Sequence, residues 1–167
     1  MNVIIDIENT RFKYTCFRSD ELVDTGTEVK ELFQMIRNWK KEGEYIALLT
    51  AATGKIPDDL TGEMREIADI SYVASALLHL PLSLDYKTPE TLGIDRLGNA
   101  IAAASLQPGK EVMILDAGTA LTIDYVSGER VYKGGNISPG LVMRFRALHA
   151  FTEKLPLIEN TFEYGAT

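Results

Sequence analysis

Two stretches of the chain share a residue pattern that suits phosphate chemistry. Residues 3–17, VIIDIENTRFKYTCF, and residues 114–126, ILDAGTALTIDYV, each hold an apolar run, an aspartate, a polar turn with a threonine, and a second strand-like run. Chance can make two buried strands end in aspartate, but this match continues through the turn into the next strand. Tight turns expose backbone N–H groups that can hold phosphate. The repeat predicts two similar half-molecules whose aspartates, Asp6 and Asp116, face each other across a cleft.

The spacing of apolar residues predicts the elements that position these turns. Spacings of three and four between Val29 and Trp39 predict a helix with one apolar face, which ends at Gly43. An alanine-rich segment from Arg96 to Leu106 predicts another helix. The run GGNISPG, residues 134–140, is expected to lead into a helix that Pro139 starts. The remaining predictions are strands at 2–7, 11–18, 21–25, 45–49 and 70–73, a helix at 61–68, and the repeated strand–turn–strand motif at 111–126.

Strands that alternate with helices indicate an α/β fold, a mixed sheet with covering helices. The turn at residues 107–110, QPGK, is the predicted domain boundary. We therefore expect a first lobe at residues 1–107 and a second lobe that begins at residue 108 and continues to residue 167.

Composition and charge argue against several classes of protein. The 167 residues carry 24 acidic and 17 basic side chains, a net charge of -7, which disfavours nucleic acid as the main partner. The single cysteine, Cys16, cannot form an internal disulfide, and a structural zinc site is not expected. The N-terminus does not resemble a signal peptide, and the longest apolar region, residues 71–84, is too short and mixed to span a bilayer. We expect a cytoplasmic protein without a membrane partner.

Four motifs stand in an order and spacing that one enzyme family shares. They are Asp6-Ile7-Glu8-Asn9-Thr10, Gly93-Ile94-Asp95-Arg96, Asp116-Ala117-Gly118-Thr119-Ala120, and the glycine-rich run from Gly134 to Leu141. Together they resemble the type III pantothenate kinases, which belong to the superfamily of actin, the sugar kinases, acetate kinase and the heat-shock chaperones. The resemblance implies duplicated ribonuclease H-like (actin-like ATPase) lobes, each a mixed sheet with flanking helices. Members of the family are longer than this chain, so we expect the second lobe to be incomplete.

The resemblance also implies a reaction and a set of site residues. The family phosphorylates pantothenate with ATP at the first step of coenzyme A synthesis and requires Mg²⁺ and a monovalent cation, K⁺ or NH₄⁺. Asp95 would be the general base, Asp116 would hold the monovalent cation, and Thr119 would contact ATP. The first phosphate-binding turn would comprise Asp6, Ile7, Glu8, Asn9, Thr10, Arg11, Phe12 and Lys13, with Asp6 ordering Mg²⁺ through water. The pantothenate pocket would be lined by Tyr86, Gly93, Ile94, Asp95 and Arg96.

The chemistry of this reaction fits a neighbouring carboxylate and guanidinium. A kinase that acts on an alcohol needs a carboxylate to accept the hydroxyl proton and a cation to hold an anionic substrate. As an alternative, Asp95 caps the helix that follows it. That alternative leaves Arg96 unexplained, because a cation at the start of a helix is disfavoured by the helix dipole. Tyr86 and Lys13 have structural alternatives as well. Tyr86 would simply pack in the core, and Lys13 would be a solvent-exposed strand residue.

One residue departs from the family pattern, which has glycine where this chain has Glu8. If the turn needs a positive φ, glutamate strains it; if the side chain faces phosphate, its charge repels the nucleotide. Either effect weakens ATP binding, whereas a side chain that points to solvent or helps bind Mg²⁺ would not. A further substrate-contacting threonine is expected at or just beyond Thr167.

Two other functions remain open, and the sequence also predicts an oligomeric state. A non-catalytic regulator similar to the Bvg accessory factors would keep the fold, and another sugar or acid kinase would keep the chemistry. We expect a homodimer through the helix after Gly140, where an apolar stripe is flanked by Arg144 and Arg146. The stripe comprises Leu141, Val142, Phe145, Leu148 and Phe151. The alternative is that the stripe packs inside its own lobe.

Overall fold

The computed structural model describes residues 1–8, 11–52 and 56–158, except for the side chains of Glu8 and Arg11. Of the predicted phosphate-turn residues, Asn9 and Thr10 therefore lie outside the described residues, as does Thr167. The chain divides into two compact units. The first comprises Met1–His79 and Glu90–Asp95, and the second comprises Leu80–Pro89 and Arg96–Thr167.

The first unit is built on a five-stranded mixed sheet. Strands β1 (Asn2–Glu8), β2 (Arg11–Arg18) and β3 (Glu21–Gly26) form an antiparallel meander, and β4 (Ala47–Ala52) and β5 (Ile70–Val73) continue the sheet with β4 parallel to β1 and β5 parallel to β4. The order across the sheet is β3-β2-β1-β4-β5. Helices α1 (Val29–Lys41) and α2 (Asp58–Ile67) complete this unit.

Helix α1 forms where the apolar spacing predicts it and buries the predicted face. Leu32, Phe33 and Ile36 pack with Val3 and Ile5 of β1, which are alternate residues on one face of the strand. The apolar face of the helix, which repeats every 3.6 residues, therefore packs in the same core as the apolar face of the strand, which repeats every two residues. The predicted helix end at residue 43 is confirmed, and residues 19–20 form the turn between β2 and β3.

The second unit holds a four-stranded sheet of order β6-β9-β8-β7. Its strands are β6 (Ser83–Leu84), β7 (Val112–Ala117), β8 (Ala120–Val126) and β9 (Val131–Pro139), with β7, β8 and β9 forming an antiparallel meander and β6 parallel to β9. Helix α3 (Ile94–Leu106) enters this unit from Arg96 onward, and α4 (Leu141–Ala150) follows β9. The α/β class with mixed sheets and flanking helices is confirmed.

The repeat seen in the sequence corresponds to the same arrangement of strands in both sheets. Each sheet contains a meander whose first strand carries an aspartate near its end, Asp6 on β1 and Asp116 on β7. The two aspartates lie in separate sheets, as the repeat predicts. Their opposition across a cleft and the lobe boundary at residue 107 stay predictions.

The glycine-rich run leads into a helix, as predicted, but the predicted start of that helix at Pro139 is wrong. Residues of this run pair with β8, so that Leu121 lies opposite Ser138 and Ala120 lies opposite Pro139. Pro139 therefore ends β9, where a missing N–H is tolerated, and α4 begins after Gly140. No helix in the part of the chain that the structure describes has the length and apolar character needed to cross a membrane.

Candidate active site

A buried ion pair joins the start of α3 to the second sheet. Arg96 donates from Nε to both carboxylate oxygens of Asp124, at 3.1 and 3.2 Å, and from Nη2 to Oδ1 at 2.6 Å. The hydroxyl of Tyr132 donates to the same Oδ1 at 2.7 Å. All three residues are buried, with Asp124 only 2% exposed. The pair explains why an arginine stands in the first turn of a helix, a position that the helix dipole disfavours.

The contacts of this cluster hold the protonation states of Arg96 and Tyr132. Hydrogen bonding to Asp124 raises the pKa of Arg96 above its ordinary value, and the guanidinium stays charged. Burial, reinforced by the hydrogen bond to Asp124, raises the pKa of Tyr132 well above the ordinary value for a phenol. Tyr132 therefore remains a hydrogen-bond donor throughout the physiological range.

Tyr86 packs against this cluster. Its ring lies 5.8 Å from the ring of Tyr132 at an angle of 57°, a tilted contact typical of aromatic pairs. The backbone N–H of Asp85 donates to the carbonyl of Tyr132 at 2.9 Å, which fixes the chain beside Tyr86. Gly134 has φ +94°, and a Cβ there would lie 3.3 Å from Tyr86 Cδ2. Glycine at this position thus allows both the backbone turn and the tyrosine beside it. The structure brings Tyr86 and Arg96 together through Tyr132 and Asp124.

Asp95 lies in the first turn of α3, since the helix begins at Ile94. Asp95 therefore does not precede the helix as its N-cap. Its carboxylate is still favoured by the helix dipole, because it lies in the first turn. Within the first unit, Asp95 is one of the residues that line a cavity of about 380 Å³. Gly93, Ile94 and Glu90 line it too, together with Ser75 and neighbouring alanines. Three residues of the predicted substrate motif thus share one cavity.

The turn between β7 and β8 carries Thr119 and follows Asp116. The N–H of Gly118 donates to the carbonyl of Ala120, and the N–H of Gly140 donates to the carbonyl of Thr119, both at 2.9 Å. A Cβ at Gly140 would lie 2.2 Å from the Gly118 oxygen, so glycine is required for this close approach. Within the second unit, Thr119 and Gly118 line a cavity of about 470 Å³ with Val142, Met143 and Arg146 of α4.

The neighbourhood of Asp116 offers oxygen atoms to a cation. Asp116 accepts a hydrogen bond at Oδ2 from Asn99 Nδ2 at 3.0 Å. Thr122 is the register partner of Asp116 across β7 and β8, and its Oγ1 is buried without a hydrogen-bond partner in the described part of the chain. No cluster of three or more histidine, cysteine, aspartate or glutamate side chains suited to a metal occurs among the described residues. Carboxylate, carboxamide and hydroxyl oxygens nevertheless suit a hard cation such as K⁺.

The described residues of the predicted phosphate-binding turn lie on β1 and β2. Asp6 and Lys13 are register partners, which places opposite charges across the strand pair. Ile7 and Phe12 are half-buried and pack against the core of the first unit. These two side chains therefore stabilise the strands, and any contact they make with a nucleotide would come from their backbone.

Sequence reasoning missed Asp124, Tyr132, Thr122 and Asn99. One signal was present for Asp124, because it has the same strand parity as Thr122 and Val126 and all three are buried. An aspartate on the inward face of a strand needs a buried partner. The sequence does not name that partner, which lies 28 residues earlier on α3.

Comparison with known proteins agrees with the motifs. The family model for type III pantothenate kinase matches residues 2–166. Proteins named type III pantothenate kinase from Azobacteroides pseudotrichonymphae and Christiangramia forsetii are both 38% identical, over 162 and 161 residues, and each alignment covers 95% of this chain. A solved Ppx/GppA phosphatase from Aquifex aeolicus aligns with 95% of the chain and 57% of its own length at 14% identity and a TM-score of 0.48.

The chain spans less than two thirds of the curated relatives that it matches, 64% and 65% of their lengths. The match nonetheless covers nearly all of this chain and includes all four motifs. The chain belongs to the type III pantothenate kinase family.

Proposed function

We propose that the protein phosphorylates pantothenate with ATP to give 4′-phosphopantothenate, the first step of coenzyme A biosynthesis. The observation that carries this proposal is the position of Asp95 in the wall of a cavity beside Gly93 and Ile94, within the motif that the family shares. The proposed setting is a cytoplasmic homodimer in which residues 1–107 form the first actin-like lobe and residues 108–167 begin the second.

In the proposed reaction Asp95 accepts the proton of the substrate hydroxyl through a carboxylate oxygen. A bond forms between that hydroxyl oxygen and the γ-phosphorus, the bond from the γ-phosphorus to the β,γ-bridging oxygen breaks, and ADP leaves. Asp95 is exposed in the first turn of α3, so its carboxylate is accessible to a substrate hydroxyl. Proton transfer to a positioned base of this kind contributes ~100-fold or more to the rate.

The second unit would bind the two anionic partners of the reaction. Arg96 would attract the carboxylate of pantothenate, and Tyr86 would lie beside the substrate. The turn at Gly118 and Thr119 would present backbone N–H groups and a hydroxyl to ATP phosphates.

Asp6 would hold Mg²⁺ through water and Asp116 would hold K⁺ or NH₄⁺, and these ions would supply positive charge that offsets the phosphate charge.

A coupled assay on the full-length protein tests this proposal. ADP formation is followed with ATP and pantothenate, with and without K⁺, and the product is identified by its mass. We expect ADP release that depends on pantothenate and that K⁺ increases. Absence of pantothenate-dependent ADP formation in the presence of Mg²⁺ and K⁺ would contradict the proposed function.

A further inference from the structure

We propose that Asp124 is a positioning residue of the pantothenate site, which holds the guanidinium of Arg96 in the orientation that receives the substrate carboxylate. This inference rests on the proposed function. Asp124 lies on β8, outside the four family-like motifs by which the sequence identifies candidate site residues. Its carboxylate is 2% exposed and Arg96 is 5% exposed, so solvent does not compete for their hydrogen bonds.

The geometry of the pair leaves one end of the guanidinium for another ligand. Arg96 binds Asp124 through Nε and Nη2, along one edge of its planar fork. A guanidinium held along that edge directs Nη1 away from the carboxylate, because the donors have a fixed planar arrangement. Since Asp124 also accepts the Tyr132 hydroxyl, it cannot rotate without breaking a second contact. The direction of Nη1 is therefore set before a substrate arrives.

The energetics favour a role beyond stability. A buried ion pair loses much of its Coulomb energy to desolvation, and well-packed apolar residues stabilise a core as well or better. Here the pair is also placed at the start of a helix, where the dipole disfavours arginine. An ion pair that adds little to the stability of the fold but fixes the guanidinium of Arg96 is suited to orienting that group. Orientation of a charged group before binding increases affinity, since less freedom is lost in the complex.

Asp124 also supports a second predicted substrate residue, Tyr86, through Tyr132. Tyr132 donates to Asp124 through its hydroxyl and contacts Tyr86 through its ring. Tyr86 and Arg96, the two predicted pantothenate ligands within the second unit, therefore share one support. Loss of the Asp124 charge is expected to disturb both, whereas the nucleotide-binding turn at Thr119 has no hydrogen bond to this cluster among the described residues.

The substitution Asp124→Asn in the full-length protein tests the inference, because it keeps the shape of the side chain and removes its charge. We expect the KM for pantothenate to rise by ~10-fold or more, as the loss of a charged hydrogen bond predicts, with the KM for ATP changed by less than about twofold. The control is Asp69→Asn. Asp69, like Asp124, accepts hydrogen bonds from two residues, here Lys40 Nζ and the Ile46 N–H, but it lies in the first unit. This control is expected to lower the melting temperature and to leave the KM for pantothenate unchanged.

A double-mutant cycle separates positioning from a merely structural role. If Asp124 acts through Arg96, then Asp124→Asn has no further effect on the KM for pantothenate once Arg96→Met is present. An equal effect in both backgrounds would overturn the inference, as would Asp124→Asn with a wild-type KM for pantothenate. Should Asp124→Asn fail to fold, Tyr132→Phe removes one hydrogen bond only and is expected to raise the same KM by ~3-fold. An unchanged KM in that variant would overturn the inference, whereas wild-type protein without pantothenate turnover would overturn the proposed function.

Discussion

Asp116 and Thr122 are register partners across the antiparallel strands β7 and β8, so their side chains leave the same face of the sheet. The Thr122 hydroxyl is buried and has no hydrogen-bond partner within the described ranges. An unsatisfied buried hydroxyl costs about 1–3 kcal/mol. A cation held by Asp116 on this face would offset that cost and explain why a threonine is present.

We predict that K⁺ stabilises the folded protein through this pair. Saturating K⁺ is expected to raise the melting temperature by about 3 °C over an equal concentration of choline, because a ligand that binds only the folded state stabilises it. Asp116→Asn should remove this shift, and Thr122→Val, which has the same shape without the hydroxyl, should reduce it. Differential scanning fluorimetry measures the shift without any need for turnover. An undiminished K⁺ shift in Asp116→Asn would place the cation elsewhere.

We predict that Asp95→Asn lowers kcat by ~100-fold or more while pantothenate still binds, as the loss of a positioned base requires. Steady-state kinetics give kcat, and isothermal calorimetry gives the affinity for pantothenate. Glu90→Gln is the matched comparison, because its carboxylate lines the same cavity but lies outside the motif. The loss with Asp95→Asn should exceed that with Glu90→Gln by ~30-fold, given the usual contribution of a base. Normal turnover in Asp95→Asn would exclude Asp95 as the base.

Local patterns predicted the elements that depend on local interactions. The strand β1 and the helix α1 form where alternation and spacings of three and four predict them. The helix buries its predicted apolar face, whereas β1 buries only alternate residues and leaves Ile4 exposed. The start of α2 was less accurate. The helix begins at Asp58 rather than Thr61. Its first turn holds two aspartates and one apolar residue, Leu60, and a single apolar residue does not make a periodic pattern. Residues 134–139 were not recognised as a strand because glycine has low strand propensity and only pairing with β8 makes them one.

In the candidate site, too, local motifs identified some residues, whereas contacts between distant residues could not be predicted. Asp95 and Thr119 stand in local motifs, and the sequence alone was enough to select them. The link between Arg96 and Asp124 joins positions 28 residues apart, on different elements, and depends on how α3 packs on the second sheet. Alternation indicated that Asp124 faces inward, but the choice of Arg96 as its partner required the fold.

We predict that Cys16 reacts slowly with thiol reagents in the folded protein. Cys16 is buried, and burial, with the nearby charge of Asp24, raises the pKa of its thiol to about 11. Since the thiolate is the reactive form, we expect reaction with a disulfide reagent at pH 8 to be ~100-fold slower than for a free thiol. Cys16 is the single cysteine of the chain, so the absorbance of the released thiolate reports on it alone.

Unfolding in guanidinium is the control and should restore the rate of a free thiol. The raised pKa also fixes the sign of the pH dependence. The folded state keeps its proton where the unfolded state loses it, so the contribution of Cys16 to stability is present below the unfolded pKa and lost as pH rises toward about 11. Rapid reaction of the native protein at pH 8 would show that the thiol is accessible and its pKa is not raised.

We predict a homodimer that uses the exposed apolar side chains of α4. Leu141, Val142 and Leu148 are 49%, 42% and 51% exposed, although they lie on a helix whose N-terminal turn lines the cavity at Thr119. Phe145 is half-buried, which makes Leu148→Glu the safer test of the surface. Arg144 donates to the carbonyl of Pro139 at 2.8 Å and to Ser138 Oγ at 3.1 Å, so this side chain is held by β9 and the apolar surface lies beside a fixed charge. Apolar centres with charged rims are typical of homodimer interfaces.

The measurement is the mass of the full-length protein in solution by light scattering. We expect wild-type protein to have twice the mass of one chain and Leu148→Glu to shift toward the monomer, because a charge buried at an apolar interface is costly. The control is Leu106→Glu, which introduces the same charge at a leucine that is 76% exposed at the end of α3. This control should keep the dimer mass. A monomeric wild-type protein, or a Leu148→Glu variant that dimerises fully, would exclude α4 from the interface.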